Sequence, residues 1–158
     1  MYKRQARAPD RTFYILDIKH MRGRPAEVER LIRQTAILDR QRSECKIVKV
    51  YMEQEPGSSG VDVIAHYRRN ILDGFPFYAD KVTGSKAERA SAFSSMAEAG
   101  NVKILIGNWD TSGYLDELET FPEADHDDRV DASSGAFRAL TFRPPLGGDV
   151  VDSIWKNR

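Results

Sequence analysis

Acidic side chains gather at two places where regular structure is expected to end or begin. Glu53 and Glu55 follow Lys46 to Met52, a run with the β-branched and aromatic composition of a strand. α/β proteins bind ligands beside the carboxyl ends of core strands, so these two carboxylates would lie in such a crevice. The alternative is that both glutamates only solvate a loop and cap the next helix.

The second acidic group opens the last predicted helix. Helix capping and the helix dipole explain Asp125 and Asp127 there, but they explain Asp131 poorly because Asp131 lies inside the helix. Asp128 and Asp131 are three residues apart and therefore share one face, where they repel each other unless a cation lies between them. Carboxylate oxygens of this kind suit Mg²⁺ or Mn²⁺.

Carboxylates from a strand end and a helix start can hold two divalent ions about 3.5–4 Å apart, which activate a water and stabilise the leaving oxygen of a phosphodiester. This chemistry needs no nucleophilic side chain. It fits a chain whose one cysteine and three histidines form no recognisable triad. Cys45 is expected to be a small buried residue, His126 to help cap the last helix, and Trp109 and Trp155 to serve packing or the tail.

Basic residues near a predicted turn are candidate DNA contacts: Lys81, Lys86 and Arg89. Such side chains can hold phosphates on either side of a scissile bond. The alternative is that they are ordinary surface charges balanced by Glu88 and Asp80. For Arg22 and Arg24, which flank another turn, the surface role is favoured.

The composition limits the classes of protein to which the chain can belong. Lys plus Arg and Asp plus Glu each number 24, so the formal net charge is zero, and 41% of residues are hydrophobic. This is an ordinary globular composition, and the length suggests one domain. A single cysteine excludes an intrachain disulfide or a thiolate zinc site. No signal peptide or membrane span is recognisable, so a cytosolic protein is expected.

The apolar periodicity predicts an α/β fold: a mixed sheet with an N-terminal antiparallel hairpin and flanking helices. Strands are predicted at residues 12–18, 46–52, 75–79 and 102–106, with residues 2–8 as the hairpin partner. Helices are predicted from Pro25, around residues 61–72, within 84–100, at 114–121 and at 127–140. Their expected inward positions include Leu38, Val61 and Ala97. Residues 143–158 are predicted to be a C-terminal tail.

Six segments, in this order, resemble the C-terminal nuclease domain of bacteriophage and prophage terminase large subunits: residues 24–32, 53–60, 84–90, 99–103, 115–122 and 126–132. The resemblance covers roughly Thr12 to Leu140, and its specificity lies in the order and spacing of the segments. It implies a ribonuclease-H-like fold and two-metal cleavage of concatemeric double-stranded DNA, with Mg²⁺ or Mn²⁺ as cofactor.

The resemblance also implies three metal-binding acids. The second acid falls on Glu55, with Glu53 as its rival, and the third falls on Asp128, with Asp131 in support. The first acid belongs to an opening strand that precedes the hairpin in the family, and Asp17 lies on a neighbouring strand and is not its equivalent. Residues 1–142 are therefore expected to be an N-terminally truncated nuclease domain.

Two alternatives follow: a catalytically incomplete fragment that folds or binds DNA without cleaving it, or another ribonuclease-H-like nuclease such as a resolvase or transposase. The family's partners would be an ATPase motor domain, the portal protein and the small terminase subunit, in the cytoplasm of a host bacterium. The motor's phosphate-binding loop does not occur in this sequence, since Gly84-Ser85-Lys86 lacks the upstream glycine.

Overall fold

A computed structural model of the chain describes residues 2–8, 10–41, 48–81, 83–123 and 127–142. The chain divides into two compact units, unit 1 with residues 1–20 and 84–158 and unit 2 with residues 21–83. In chain order the elements are β1 (Tyr2–Arg7), β2 (Phe13–Lys19), α1 (Pro25–Gln41), β3 (Val50–Glu53), α2 (Ser58–His66), a π-helical turn (Tyr67–Ile71), β4 (Phe77–Asp80), α3 (Lys86–Glu98), β5 (Val102–Ile104), α4 (Thr111–Thr120) and α5 (Asp128–Phe142). The mixed α/β architecture predicted from the sequence is confirmed.

Unit 1 contains a mixed sheet in the order β1-β2-β5. β1 and β2 form the predicted antiparallel hairpin, and β2 pairs in parallel with β5. The connection between β1 and β2 turns at Asp10, whose carboxylate accepts a hydrogen bond of 2.9 Å from the backbone N–H of Thr12. Arg11 takes a positive φ of 68° in the same turn. An aspartate that bonds the backbone two residues on is a typical turn former.

The core of unit 1 forms where β2 packs against three helices. Its buried residues are Phe13, Ile15, Ile18, Phe93, Tyr114 and Phe137. The Tyr114 hydroxyl lies 2.7 Å from Ser133 Oγ, so the phenol is buried with a hydrogen-bond partner. Burial raises the pKa of Tyr114 to about 12, because a charged phenolate would be poorly solvated in this core.

Side-chain caps fix the first turns of α3 and α4. Ser85 and Glu88 form a capping box at the start of α3, in which each side chain accepts from the backbone N–H of the other residue. The hydrogen bond from the Ser85 backbone lowers the pKa of Glu88. Asp110 caps α4 by accepting from the Gly113 N–H at 3.0 Å. Both helices pack against α5, so these caps also define the surroundings of α5.

Unit 2 joins α1 to a small parallel sheet. α1 starts at Pro25, as predicted from the tolerance of proline at a first helical position. β3 and β4 pair in parallel, with Val50 opposite Phe77. α2 continues directly into the π-helical turn, which packs against α1. His66 at the end of α2 contacts Glu29 of α1 at 3.0 Å, and this bond ties the two helices together.

Several positions expected to face inward are exposed. Leu38 and Val61 are 58% and 52% exposed, and Ala97 is exposed as well. α1 instead buries a stripe that includes Ala36 and Asp39, so Leu38 falls outside the face that packs. β3 begins at Val50 and β5 ends at Ile104, so both predicted strands were too long within the described residues.

Candidate active site

The acids predicted to bind metal are divided between the two units. Asp128 and Asp131 belong to the first turn of α5 in unit 1. Glu53 and Glu55 belong to the end of β3 and the loop that follows it in unit 2. Each group is described within its own unit.

Asp131 is held by an arginine. Arg89, on α3, donates from Nη2 to both carboxylate oxygens of Asp131 at 2.7 and 2.8 Å, and from Nε at 3.2 Å. Both side chains are largely removed from solvent, with 13% and 16% of their surface exposed. A bidentate arginine–carboxylate pair is among the stronger polar contacts in proteins. The cation that offsets the repulsion between Asp128 and Asp131 is therefore the Arg89 guanidinium.

Asp127 is paired in the same way with a neighbouring lysine. Lys86 Nζ lies 2.6 Å from Asp127 Oδ1, and this hydrogen bond raises the pKa of Lys86. The two predicted DNA contacts of α3 thus bind acids of α5, whereas Glu88 and Asp80 were the partners expected for them. Glu88 is occupied in the α3 capping box. Lys81, the third predicted contact, is exposed.

Asp128 differs from its two neighbours in the same turn. Its side chain is exposed. Within the described ranges, no hydrogen bond or ion pair involves its carboxylate, whereas Asp127 and Asp131 each bind a cation. Asp128 therefore offers the carboxylate of this turn that can accept a ligand without breaking an ion pair.

The cap of α5 comes from a different helix. Glu117 of α4 accepts hydrogen bonds from the backbone N–H groups of Arg129 and Val130, at 2.5 and 3.0 Å. The carboxylate of Asp127, which was expected to cap this helix, is bound to Lys86 instead. To α5 itself Asp127 contributes its backbone carbonyl, which accepts a hydrogen bond of 2.9 Å from the Asp131 N–H. A cap supplied by another helix leaves no local sequence signal, so the sequence analysis missed Glu117.

Arg129 extends this network to the start of α4. Its guanidinium pairs with Glu117 at 3.6 Å and with Asp110 at 3.0 Å. The hydrogen bond from the Gly113 backbone, followed by the one from Arg129, lowers the pKa of Asp110. The chain of contacts Asp110–Arg129–Glu117 fixes the first turn of α5, which is the turn that carries Asp128.

The glutamates of unit 2 lie at a strand end, as predicted. Glu53 is the last residue of β3, opposite Asp80 in the register with β4, and it is exposed, as is Glu55. Gly60 packs directly on the loop: a Cβ at that position would lie 2.0 Å from the Glu55 carbonyl oxygen. A glycine in the Pro-Gly-Ser-Ser-Gly segment therefore permits this close backbone approach, which any residue with a Cβ would block. Asp80, expected only as a balancing charge, is a further acid at this strand end.

The donor chemistry fits a hard divalent cation, but no complete ligand set is assembled within the described part of the chain. No group of three or more His, Cys, Asp or Glu side chains there could hold a metal ion. The exposed carboxylates of Asp128, Glu53 and Glu55 are oxygen donors of the kind that Mg²⁺ and Mn²⁺ prefer.

Comparison with protein families decides the relationship of the chain. A family model described as a terminase RNaseH-like domain matches residues 5–140. The chain belongs to this terminase family. The match confirms the resemblance inferred from the six segments, and it includes every acid of the candidate site. Searches of the curated proteins and of the solved structures gave no significant match.

Other residues of the terminase domain fall into structural roles or outside the described ranges. Trp109 packs on the unit 1 core and donates from Nε1 to the Leu105 carbonyl at 3.0 Å, so its predicted packing role is confirmed. Asp17 is buried on β2 with Lys19 at 3.2 Å from its carboxylate. The predictions for Cys45, Asp125, His126 and Trp155 lie outside the described residues. No described helix is long and apolar enough to cross a membrane.

Proposed function

We propose that this terminase domain is a metal-dependent endonuclease that cuts concatemeric double-stranded DNA during viral DNA packaging. Membership of the terminase RNaseH-like family over residues 5–140 is the observation that carries the proposal. A nuclease-type role follows from the family, and metal dependence and the DNA substrate are the proposed refinements. The ATPase motor domain, the portal protein and the small terminase subunit are its proposed partners, in the cytoplasm of a host bacterium.

Asp128 is the proposed ligand from α5, and Glu55, with Glu53 as its rival, is the proposed ligand from the end of β3. Asp128 is exposed in the first turn of a helix whose start is fixed by Glu117. Two bound Mg²⁺ or Mn²⁺ ions would supply an activated water and stabilise the leaving oxygen of the phosphodiester. Asp131, bound by Arg89, is proposed as a supporting acid that orients this turn.

Nicking of supercoiled plasmid in Mg²⁺ or Mn²⁺ tests the proposal. Asp128→Asn is expected to abolish cutting, because it removes the charge of the ligand and leaves the shape of the side chain. Asp116→Asn is the matched control: Asp116 is an exposed acid of α4, so the same change there should leave cutting intact. Glu55→Gln and Glu53→Gln compare the rival glutamates. Normal cutting by Asp128→Asn would refute the site assignment.

A second candidate function is DNA binding without cleavage. The ion pairs of Asp127 with Lys86 and of Asp131 with Arg89 favour it, since they occupy two of the three carboxylates at the start of α5. This function predicts that divalent ions change neither plasmid integrity nor stability of the protein.

A further inference from the structure

Four exposed arginines of unit 2 project from α1 and the adjoining π-helical turn: Arg33, Arg40, Arg68 and Arg69. The two on α1 reach backbone carbonyls. Arg33 Nη1 donates to the Ile71 carbonyl at 2.5 Å, and Arg40 Nη1 donates to the Gly74 carbonyl at 3.4 Å. Arg40 also lies over the ring of Phe75, 4.4 Å from its centre.

The two arginines of the π-helical turn are held by similar neutral groups. Arg68 lies 5.7 Å from the centre of the Phe77 ring, and Arg69 Nε donates to the Ala65 carbonyl at 3.3 Å. Among the residues whose placement is described, no carboxylate forms an ion pair with any of these four arginines. Carbonyls and rings orient a guanidinium but leave its positive charge in place.

Three cations of unit 1 near the start of α5 are in the opposite situation. Lys86, Arg89 and Arg129 each contact at least one carboxylate. The sequence shows a small difference in the same direction: unit 1 holds 15 Asp and Glu against 13 Lys and Arg, whereas unit 2 holds 9 against 11. The four arginines of unit 2 therefore differ from these three cations in keeping a positive charge that is available to an anionic partner.

We propose that Arg33, Arg40, Arg68 and Arg69, together called the arginine face, bind the phosphate backbone of duplex DNA. The choice of DNA rests on the proposed function. A guanidinium has five donors in a planar fork that fits phosphate oxygens, and Arg33 and Arg40 each use one nitrogen for a carbonyl. Side chains already held in place lose less conformational entropy when they bind.

The spacing on α1 suits contacts to separate phosphates. Arg33 and Arg40 are seven residues apart, which places them on the same side of the helix and about 10.5 Å apart along its axis. Contacts of this kind fix the position of a duplex without reading its sequence. The arginine face therefore binds DNA by charge, and its affinity falls steeply with salt.

Binding of a fluorescent duplex of about 25 base pairs, measured by anisotropy from low to high salt without divalent metal, tests the proposal. The Arg33→Gln/Arg40→Gln variant is expected to bind more weakly. The slope of log affinity against log salt should become shallower by about 0.9 for each phosphate that the variant no longer neutralises, or about 2 in all. Arg11→Gln/Lys103→Gln removes the same charge from exposed positions of unit 1 and should keep the wild-type slope.

Arg33 and Arg40 also hold carbonyls at the end of the π-helical turn, so thermal unfolding is measured on each variant. If Arg33→Gln/Arg40→Gln does not fold, Arg68→Gln/Arg69→Gln provides the same comparison. Three outcomes would overturn the proposal. The folded variant could keep the wild-type salt slope, the Arg11→Gln/Lys103→Gln control could lose as much affinity as the variant, or the wild type could fail to bind the duplex. If the wild type cuts plasmid but the Arg33→Gln/Arg40→Gln variant keeps the wild-type salt slope, only the proposal for the arginine face is refuted. If the variant has a shallower slope but the wild type does not cut plasmid, only the proposed nuclease function is refuted.

Discussion

At the scale of single residues, Asp128 and Asp131 have the same chemistry and different surroundings. They are one helical turn apart, yet Asp131 accepts a bidentate pair from Arg89 and Asp128 is exposed. Both carboxylate oxygens of Asp131 already accept hydrogen bonds from Arg89, so a metal ion at Asp131 would compete with this ion pair, whereas Asp128 has no such partner among the described residues. Metal binding is therefore expected to start at Asp128, and Asp131 contributes to the rigidity of the turn.

The first prediction separates these two roles by stability. Asp131→Asn is expected to lower the free energy of unfolding by about 1.5–3 kcal/mol, since it weakens hydrogen bonds to a charged partner. Asp128→Asn should cost about 0.3–1 kcal/mol, the loss of a charge that favours a helix N-terminus. Denaturant unfolding measures the free energy of unfolding of both variants, of Arg89→Gln and of the Arg89→Gln/Asp131→Asn double variant. The difference between the double variant and the sum of its single variants gives the interaction energy between Arg89 and Asp131. Equal losses in Asp128→Asn and Asp131→Asn, or additive effects of Arg89→Gln and Asp131→Asn, would contradict the assignment.

At the scale of secondary-structure elements, the position of α5 depends on α4. Glu117 satisfies the N–H groups of Arg129 and Val130, which have no partner within their own helix at that position. Glu117→Ala is expected to destabilise the protein by about 1–2 kcal/mol, as loss of a helix cap does. Glu117→Gln keeps an oxygen acceptor and should lose less. Hydrogen exchange at the Arg129 and Val130 amides measures the effect, and unchanged protection in Glu117→Ala would show that another group caps α5.

The elements that the sequence predicts well are those with local causes. The hairpin of β1 and β2 follows from the β-branched and aromatic residues of β2 and a turn at Asp10, and α1 starts at Pro25 because proline suits a first helical turn. Gly60 also has a local cause, since the loop after Glu55 folds back over only a few residues. At this level the sequence is sufficient because each signal lies within a few residues of its effect.

The contacts that determine the candidate site have distant causes. Lys86 and Asp127 are 41 residues apart, and Arg89 and Asp131 are 42 apart. The sequence analysis selected the basic residues from their position at a turn and Asp131 from its spacing to Asp128. Neither signal shows that these residues pair with each other, because the packing of α3 against α5 decides which charges meet. The family match spans these residues but does not test their roles, so it does not distinguish a metal ligand from an ion-pair partner.

At the scale of the whole molecule, the candidate acids and the arginine face are proposed to bind ligands of opposite charge. The acids would bind divalent cations, and the arginines would bind the phosphates of DNA. Unit 1 holds two more acids than bases and unit 2 holds two more bases than acids, so the formal net charge of zero is the sum of two small and opposite excesses. Net charge alone therefore neither indicates nor excludes the proposed DNA substrate.

The last prediction is that divalent ions stabilise the folded protein through Asp128. A ligand that binds only the folded state stabilises it by about 2.7 kcal/mol at one hundred times its dissociation constant. Mn²⁺ or Mg²⁺ should therefore raise the melting temperature of the wild type and of Asp116→Asn, and raise that of Asp128→Asn much less.

Hydrogen exchange with and without divalent ions then reports on each unit separately. Slower exchange at the first turn of α5 would identify Asp128 as a ligand, and slower exchange at residues 53–60 would do the same for Glu55 or Glu53. A melting temperature that divalent ions leave unchanged would favour DNA binding without cleavage, because a two-metal nuclease cannot work without holding its ions.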